Sequence, residues 1–279
     1  MTAVSFKGIA EKKMRSLIVV PARYGSTRFP GKPLHLIAGR SMVSRVADVA
    51  RKAADLMDDA DYVVATDDQR IMDHCAGEGL KAVLTPEDVA TGTDRALAAV
   101  EALGVTPDVI VNLQGDAPFT PPEMVAAIGR AAASGEDDVA TPVVRLSWSE
   151  LDKMREHKLT APFSGTCCIC DPDGRAIWFS KMIIPGMRKE ADMRKSSAVS
   201  PVLRHIGLYA YRLDALRRFA ALPESHYEKL EGLEQLRMLE NGMRIRVVEV
   251  AEPDVNIGGV DTPEDVALAE RLLKEKGLA

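Results

Sequence analysis

Pro21-Ala22-Arg23-Tyr24-Gly25-Ser26-Thr27-Arg28-Phe29-Pro30-Gly31-Lys32-Pro33-Leu34 follows directly on a short apolar run, Leu17-Ile18-Val19-Val20. The run reads as a buried strand, and the stretch after it as a loop at that strand's carboxyl end. Three cations, Arg23, Arg28 and Lys32, share the loop with Gly25, Ser26, Thr27 and Gly31. Glycine lets backbone approach a ligand, hydroxyl and N–H groups donate to oxygens, and fixed positive charge holds a polyanion. In an open α/β sheet this is where a nucleotide's phosphates are gripped. Two familiar phosphate loops do not fit. A P-loop has four residues between its glycines and a Ser or Thr after the Lys, whereas five separate Gly25 from Gly31 and Pro33 follows Lys32. The G-x-G-x-x-G pattern is absent as well. The competing reading is a surface turn with incidental basic residues.

Working outward, 279 residues are enough for one large domain with a sizeable core. A hydrophobic content of 46% and a charged content of 28% describe an ordinary soluble globular chain. The net charge of -5 argues against nucleic acid as a partner, so the cations of the loop are local. No apolar run reaches the length of a membrane span. The first residues carry Lys7, Glu11, Lys12, Lys13 and Arg15 and no apolar h-region, so no signal peptide is expected. Residues 1–14 are expected to form an N-terminal extension ahead of a domain over 15–279. Cys75, Cys167, Cys168 and Cys170 lack the paired spacings of a zinc site and read as buried free thiols. Without an export signal, such thiols point to a reducing cytoplasm.

Short apolar runs alternate with helical patterns, the signature of βα units around a mostly parallel sheet. Strands are expected at 17–21, 62–65, 82–84, 109–113 and 139–144, and helices at 42–57, 69–79, 93–103, 122–134 and 149–157. From residue 166 the rhythm changes to strand-like runs at 166–170, 176–179, 205–211 and 245–250, with helices near 215–221 and 231–241. The expected fold is therefore α/β: a mostly parallel, Rossmann-like sheet flanked by helices, with a smaller antiparallel extension over 165–250. The polar stretch 188–200 reads as a mobile loop, and a last helix runs from 263 to about 276.

Val109-Ile110-Val111-Asn112-Leu113 is a continuous apolar strand, and Gln114-Gly115-Asp116 follows at its carboxyl end, where open sheets bind ligands. Asp116, after a flexible glycine, is well placed to hold Mg²⁺, which takes one or two carboxylates plus phosphate oxygens. A turn-forming Asp is the alternative. Asp261 poses a similar choice. Pro263 suits the first helical position, which makes Thr262 the N-cap and leaves Asp261 outside as a second metal ligand; otherwise Asp261 caps the helix with Glu264.

Residues 21–34, Val63-Val64-Ala65-Thr66-Asp67-Asp68, Thr91-Gly92-Thr93-Asp94-Arg95, Gln114-Gly115-Asp116, Arg204-His205-Ile206-Gly207-Leu208-Tyr209, Leu233-Glu234-Gln235-Leu236-Arg237 and 260–265 occur in a fixed order. Together they resemble the 3-deoxy-D-manno-octulosonate (Kdo) cytidylyltransferases, the CMP-Kdo synthetases. The resemblance runs from about Arg15 to the C-terminus. It implies a nucleotidyltransferase fold whose extension forms the sugar pocket and dimer contact, and the reaction CTP + Kdo → CMP-Kdo + pyrophosphate. It also implies a Mg²⁺ requirement, a cytoplasmic homodimer and a role in lipopolysaccharide synthesis. By the same resemblance, Arg23, Ser26, Arg28 and Lys32 hold the triphosphate, with Lys32 also catalytic, and Gln114 lies against the nucleotide. Asp116 and Asp261 hold Mg²⁺ and are catalytic. Lys181, His205, Tyr209, Glu234 and Gln235 form the sugar-acid pocket.

The chain departs from the family pattern at three places. Ala117 stands where Glu is common after the metal Asp, and Thr85-Pro86-Glu87-Asp88 lacks an Arg that many members carry, a contact that Arg95 could take over. Lys181 replaces Arg, a point charge in place of a planar fork. These leave a related acid such as 8-amino-Kdo open as the substrate. A GT-A-like glycosyltransferase and a non-catalytic nucleotide-binding protein are the rival classes.

Overall fold

The computed structural model describes residues 15–25, 29–89, 91–253 and 259–277. The extension expected at 1–14, together with Ser26 and Arg28 of the cationic loop, lies outside the described residues. The first part of the chain alternates strand and helix: β1 (Ser16–Ala22), a small hairpin of β2 (Leu36–Ile37) and β3 (Arg40–Ser41), α1 (Met42–Asp55), β4 (Ala60–Thr66), α2 (Gln69–Gly77), β5 (Ala82–Leu84), α3 (Gly92–Leu103) and β6 (Val109–Asn112). Then come α4 (Pro122–Ser134), β7 (Val139–Ser147), α5 (Trp148–Thr160), β8 (Thr166–Cys170), β9 (Ala176–Ser180), α6 (Glu190–Ser196), β10 (Val199–His205) and β11 (Tyr209–Arg212). The chain closes with α7 (Leu213–Ala220), α8 (His226–Glu231), α9 (Glu234–Glu240), β12 (Ile245–Glu249) and α10 (Pro263–Glu275).

Strands β5, β4, β1 and β6 lie side by side and parallel. Every residue of β1 is buried, and its two faces serve different cores. Ile18 and Val20 pack with Val46, Ala47 and Ala50 of α1 and with Ile128 of α4. Leu17 and Val19 pack with Ala96, Ala99 and Val100 of α3 and Leu216 of α7. Cover on both faces is why this strand is apolar throughout rather than alternating. β7 and β12 are also parallel to each other, while β9, β10 and β11 run against their neighbours in the second half of the sheet.

The sheet divides at one place, and that division makes the site. β10 and β11 follow one another along the same edge of β7, His205 opposite Val143 and Ala210 opposite Ala140, while β12 pairs with its other edge. On their far side they part company: β11 pairs with β6, and β10 pairs with β8. The apolar run 205–211, expected as one strand, is therefore broken at 206–208. The break is pinned where Ile206 N–H donates to Pro142 O (3.1 Å) and Thr141 Oγ1 donates to Leu208 O (2.9 Å).

Two other expectations are corrected. The stretch 188–200 is α6 and the start of β10, not a mobile loop. Its charges, which read as a solvated segment, bind the helix to α5: Arg155 pairs with Glu190 (2.7 Å) and Arg194 pairs with Asp152 (2.6 Å) and Glu190 (2.8 Å). The helix expected over 231–241 is interrupted at Gly232, whose φ of 64° ends α8 so that α9 can start afresh at Glu234.

Candidate active site

The carboxyl end of β1 leads into the cationic loop. The loop's base closes where Gly31 N–H donates to Tyr24 O (3.0 Å), and the Arg70 guanidinium lies 3.3 Å from the centre of the Tyr24 ring. Gly31, at φ 71°, caps a single 3₁₀ turn, Lys32–Leu34, that begins with the lysine. From there the Lys32 side chain reaches across the sheet. Its Nζ lies 2.9 Å from Asp116 Oδ2 and 2.9 Å from Asp261 Oδ1. Residues 84 and 229 positions away in sequence thus meet on one ammonium group.

Local structure explains why the two carboxylates converge. Leu113 N–H still pairs with Val19 O (2.9 Å), holding the end of β6 against β1. Gly115 then passes so close to β1 that an added Cβ would lie 2.1 Å from Pro21 O. This glycine is needed for close approach rather than for flexibility. Asp116 O next accepts from Val260 N–H (2.8 Å), which carries Asp261 to its side. The cap of α10 is a box between Thr262 and Asp265: Thr262 Oγ1 accepts from Asp265 N–H (3.2 Å), and Asp265 Oδ2 accepts from Thr262 N–H (2.9 Å). Of the two arrangements open in the sequence, Thr262 is therefore the cap.

Burial works against charge on Lys32, but Asp116 and Asp261 outweigh it and hold its pKa above the ordinary lysine value. A full positive charge thus sits between two hard oxygen donors. The same donors suit Mg²⁺, which accepts one or two carboxylates and takes its other oxygens from phosphates and water. Among the described residues no group of three or more His, Cys, Asp or Glu is placed to hold a metal. The pair fits an ion shared with a substrate and not an all-protein cage.

Arg23 does not join this cluster. It lies 3.8 Å from Asp67 Oδ2, the oxygen that also accepts from Arg95 (2.7 Å). Arg95 is fully buried and donates to Thr85 Oγ1 (2.6 Å), which ties it to the segment 85–88.

The parting of β6 from β8 opens a cavity of about 470 Å³. Its lining includes Gln114, Asp116, Lys181, His205, Tyr209, Glu234 and Gln235, so the five residues expected at a sugar-acid pocket do meet, with two of the nucleotide side at their edge. The His205 and Tyr209 rings lie 5.5 Å apart despite the break between them. Thr141 spends its single hydroxyl proton on Leu208 O, so its 2.8 Å contact with His205 Nε2 makes that nitrogen the donor. The neutral ring keeps Nδ1 as an acceptor. Burial, aided by the Lys181 charge, depresses the His205 pKa to about 3. Burial also lowers the Lys181 pKa against the pull of Glu231. Lys181 is set in place by its backbone: its N–H donates to Glu231 (2.8 Å) and its carbonyl accepts from Lys158 (2.6 Å).

Because α9 starts at Glu234, that residue and Gln235 occupy its first turn. Burial raises the Glu234 pKa against a hydrogen bond from Thr93 (3.2 Å), and Thr93 Oγ1 in turn accepts from Asn112 (3.4 Å). Gln235 is 3% exposed, and its Nε2 has no hydrogen-bond partner among the described residues. A buried donor left in this state suits a ligand oxygen. Thr93 and the pocket-lining Arg204, bound through Nη2 to Glu252 (2.6 Å), had no assigned role in the sequence although both stand inside quoted motifs.

The low His205 pKa carries a prediction. The ordinary value of 6.5 lies above the folded one, so on acidification the unfolded chain takes this proton first. Stability contributed by the neutral ring is complete above about pH 6.5 and is lost as pH falls towards 3. Urea midpoints at pH 7 and pH 5 should therefore draw together in His205→Gln; an unchanged gap would contradict the buried neutral ring.

Cation, paired carboxylates and pocket meet at the carboxyl ends of the strands of an α/β sheet, and the class they define is the nucleotidyltransferases. More narrowly, the chain belongs to the cytidylyltransferase family, whose model matches residues 17–245. It is 42% identical to the 3-deoxy-manno-octulosonate cytidylyltransferase of Maricaulis maris, over 95% of this chain and 99% of that one. It is 44% identical to the protein of the same name from Syntrophotalea carbinolica, over 92% and 97% of the two chains. Among solved structures it is similar to a CMP:2-keto-3-deoxy-manno-octonic acid synthetase complexed with CTP, with a TM-score of 0.78, 34% identity and coverage of 94% and 99%.

Proposed function

We propose that this protein transfers CMP from CTP to Kdo, releasing pyrophosphate. The observation that carries the reading is the placement of the Lys32–Asp116–Asp261 cluster beside the pocket of Lys181, His205, Tyr209, Glu234 and Gln235. In the reaction, the anomeric hydroxyl of the sugar acid gives up its proton to solvent as its oxygen forms a bond to the α-phosphorus. The bond from that phosphorus to the bridging oxygen breaks, and pyrophosphate leaves with the electron pair. Such steps are catalysed by positioning and by charge.

The chain's own residues supply both. Lys32 and Arg23, with Ser26 and Arg28, hold the triphosphate, and Gln114 lies against the nucleotide. Lys181 faces the sugar carboxylate; His205 Nδ1 accepts a hydrogen bond from a sugar hydroxyl, Glu234 accepts others, and Gln235 Nε2 donates to a sugar oxygen. Tyr209 forms the wall. Asp116 and Asp261 hold Mg²⁺, which when bound neutralises charge on the phosphate being transferred.

The assay is pyrophosphate release with CTP, UTP or ATP crossed against Kdo, 8-amino-Kdo and sialic acid. The CTP–Kdo combination should dominate and vanish with EDTA. Turnover with UTP and a hexose phosphate, or none with any pair, would refute the reading.

The proposal extends to a homodimer in the cytoplasm whose product feeds lipopolysaccharide synthesis. β9 is the last strand of the sheet order, and around it Leu159, Phe163, Ile177, Met182 and Leu230 are exposed, Leu159 at 85%. Apolar side chains clustered along a sheet edge mark an interaction face. Sedimentation equilibrium at micromolar concentration should give twice the chain mass; a monomer would contradict the dimer. No helix among the described residues is long and apolar enough to cross a membrane.

A further inference from the structure

We infer that Lys32 is an internal cation that closes the metal seat until a triphosphate draws it away, so that the divalent ion is held only together with the nucleotide. This rests on the proposed reading that Asp116 and Asp261 are the metal ligands. The Lys32 ammonium is within 2.9 Å of both carboxylates, and its side chain is only 15% exposed. A divalent ion placed on the same two oxygens would stand against that charge at contact distance, where repulsion is strong and only weakly screened. Ammonium and metal therefore exclude one another.

The anchoring of the residue permits exchange. Its backbone is fixed in the 3₁₀ turn, Lys32 N–H donating to Phe29 O (3.2 Å) and Lys32 O accepting from His35 N–H (3.1 Å). The four-carbon stem can swing while the backbone stays. A triphosphate at the loop offers several anionic oxygens as new partners. When the ammonium turns to them, Asp116 Oδ2 and Asp261 Oδ1 lose the positive charge they share, beside the same phosphates. The device makes nucleotide and metal affinities reciprocal, as linkage requires. It also keeps the free protein from loading a metal that has no substrate to act on.

The test is Mn²⁺ binding to the free protein, read by the loss of the free-ion electron paramagnetic resonance signal. Lys32→Met, which keeps the length and removes the charge, should bind Mn²⁺ at least tenfold more tightly than wild type without nucleotide. Lys32→Arg should remain as weak as wild type. Adding Asp116→Asn to Lys32→Met should abolish the gain. Lys32→Gln repeats the measurement if the methionine variant does not fold, judged by circular dichroism.

Tight Mn²⁺ binding by free wild type, or no gain in a folded neutral variant, overturns the inference while leaving pyrophosphate release from CTP by wild type intact. Absence of pyrophosphate release from CTP and Kdo by wild type, with the Mn²⁺ gain present in Lys32→Met, would instead strike the proposed reaction.

Discussion

Asp116→Asn should lower kcat/KM for CMP transfer by about 10³-fold, since losing a carboxylate proposed to hold the metal would remove several kcal/mol of transition-state stabilisation. The change keeps the shape of the side chain and the hydrogen bond from Val260 N–H to the Asp116 carbonyl (2.8 Å). It removes one of two partners of Lys32, whose ammonium still has Asp261 at 2.9 Å. An ion pair that is part exposed stabilises a fold by about 1 kcal/mol or less, so the thermal midpoint should move little. The distinguishing readout is the split between kcat and binding of the sugar acid. Turnover should collapse while Kdo affinity, set by the pocket, changes no more than a fewfold. Near-normal turnover in a folded Asp116→Asn protein would remove Asp116 from the chemistry.

Gly115→Ala is expected to be nearly as damaging, by a different route. The new Cβ would lie 2.1 Å from Pro21 O and 3.2 Å from Pro21 C, both backbone atoms of β1. No rotamer relieves such a clash, so the 114–116 turn has to leave β1. Overpacking of this kind costs about 1–3 kcal/mol. The displaced turn takes with it both Gln114 and the carboxylate that faces Lys32, and misplacement by about 1 Å can cost 10²-fold in rate. The expected outcome is a lower thermal midpoint together with a roughly 10²-fold lower kcat/KM. An alanine variant with wild-type melting and wild-type rate would show that the close approach of the two strands is not needed.

Gly115 also shows where the sequence stops being legible. A glycine before Asp116 reads as flexibility; that it touches Pro21 depends on two strands lying side by side, which no local pattern records. The parallel half of the fold was readable because β1, β4 and β6 are continuous apolar runs followed by turn residues, and the chemistry sits just after them. The break at 206–208 was not, because Ile206, Gly207 and Leu208 continue an apolar run and only long-range pairing with β6, β7 and β8 divides it. α6 was hidden for a similar reason: Arg194 and Glu190 look solvated until α5 supplies Asp152 and Arg155.

At the site, the family resemblance, not the side-chain types alone, singled out Lys181, His205, Tyr209, Glu234 and Gln235, which line one cavity. What neither could convey was the company of Lys32. As a loop cation it reads as a phosphate ligand, and its seat between Asp116 and Asp261 depends on contacts spanning most of the chain. Thr93 escaped notice because a threonine in Thr91-Gly92-Thr93-Asp94 looks like part of a helix cap. Thr91 is the residue that caps, which leaves Thr93 to hold Glu234.

The most direct measurement is a ³¹P NMR time course with Mg²⁺, CTP and Kdo. A phosphodiester resonance and pyrophosphate should rise together in equal amounts, and neither should form when the sugar acid is withheld. Release of inorganic phosphate with CDP, or loss of CTP that does not depend on the sugar acid, would contradict in-line transfer at the α-phosphorus between the paired carboxylates and the pocket.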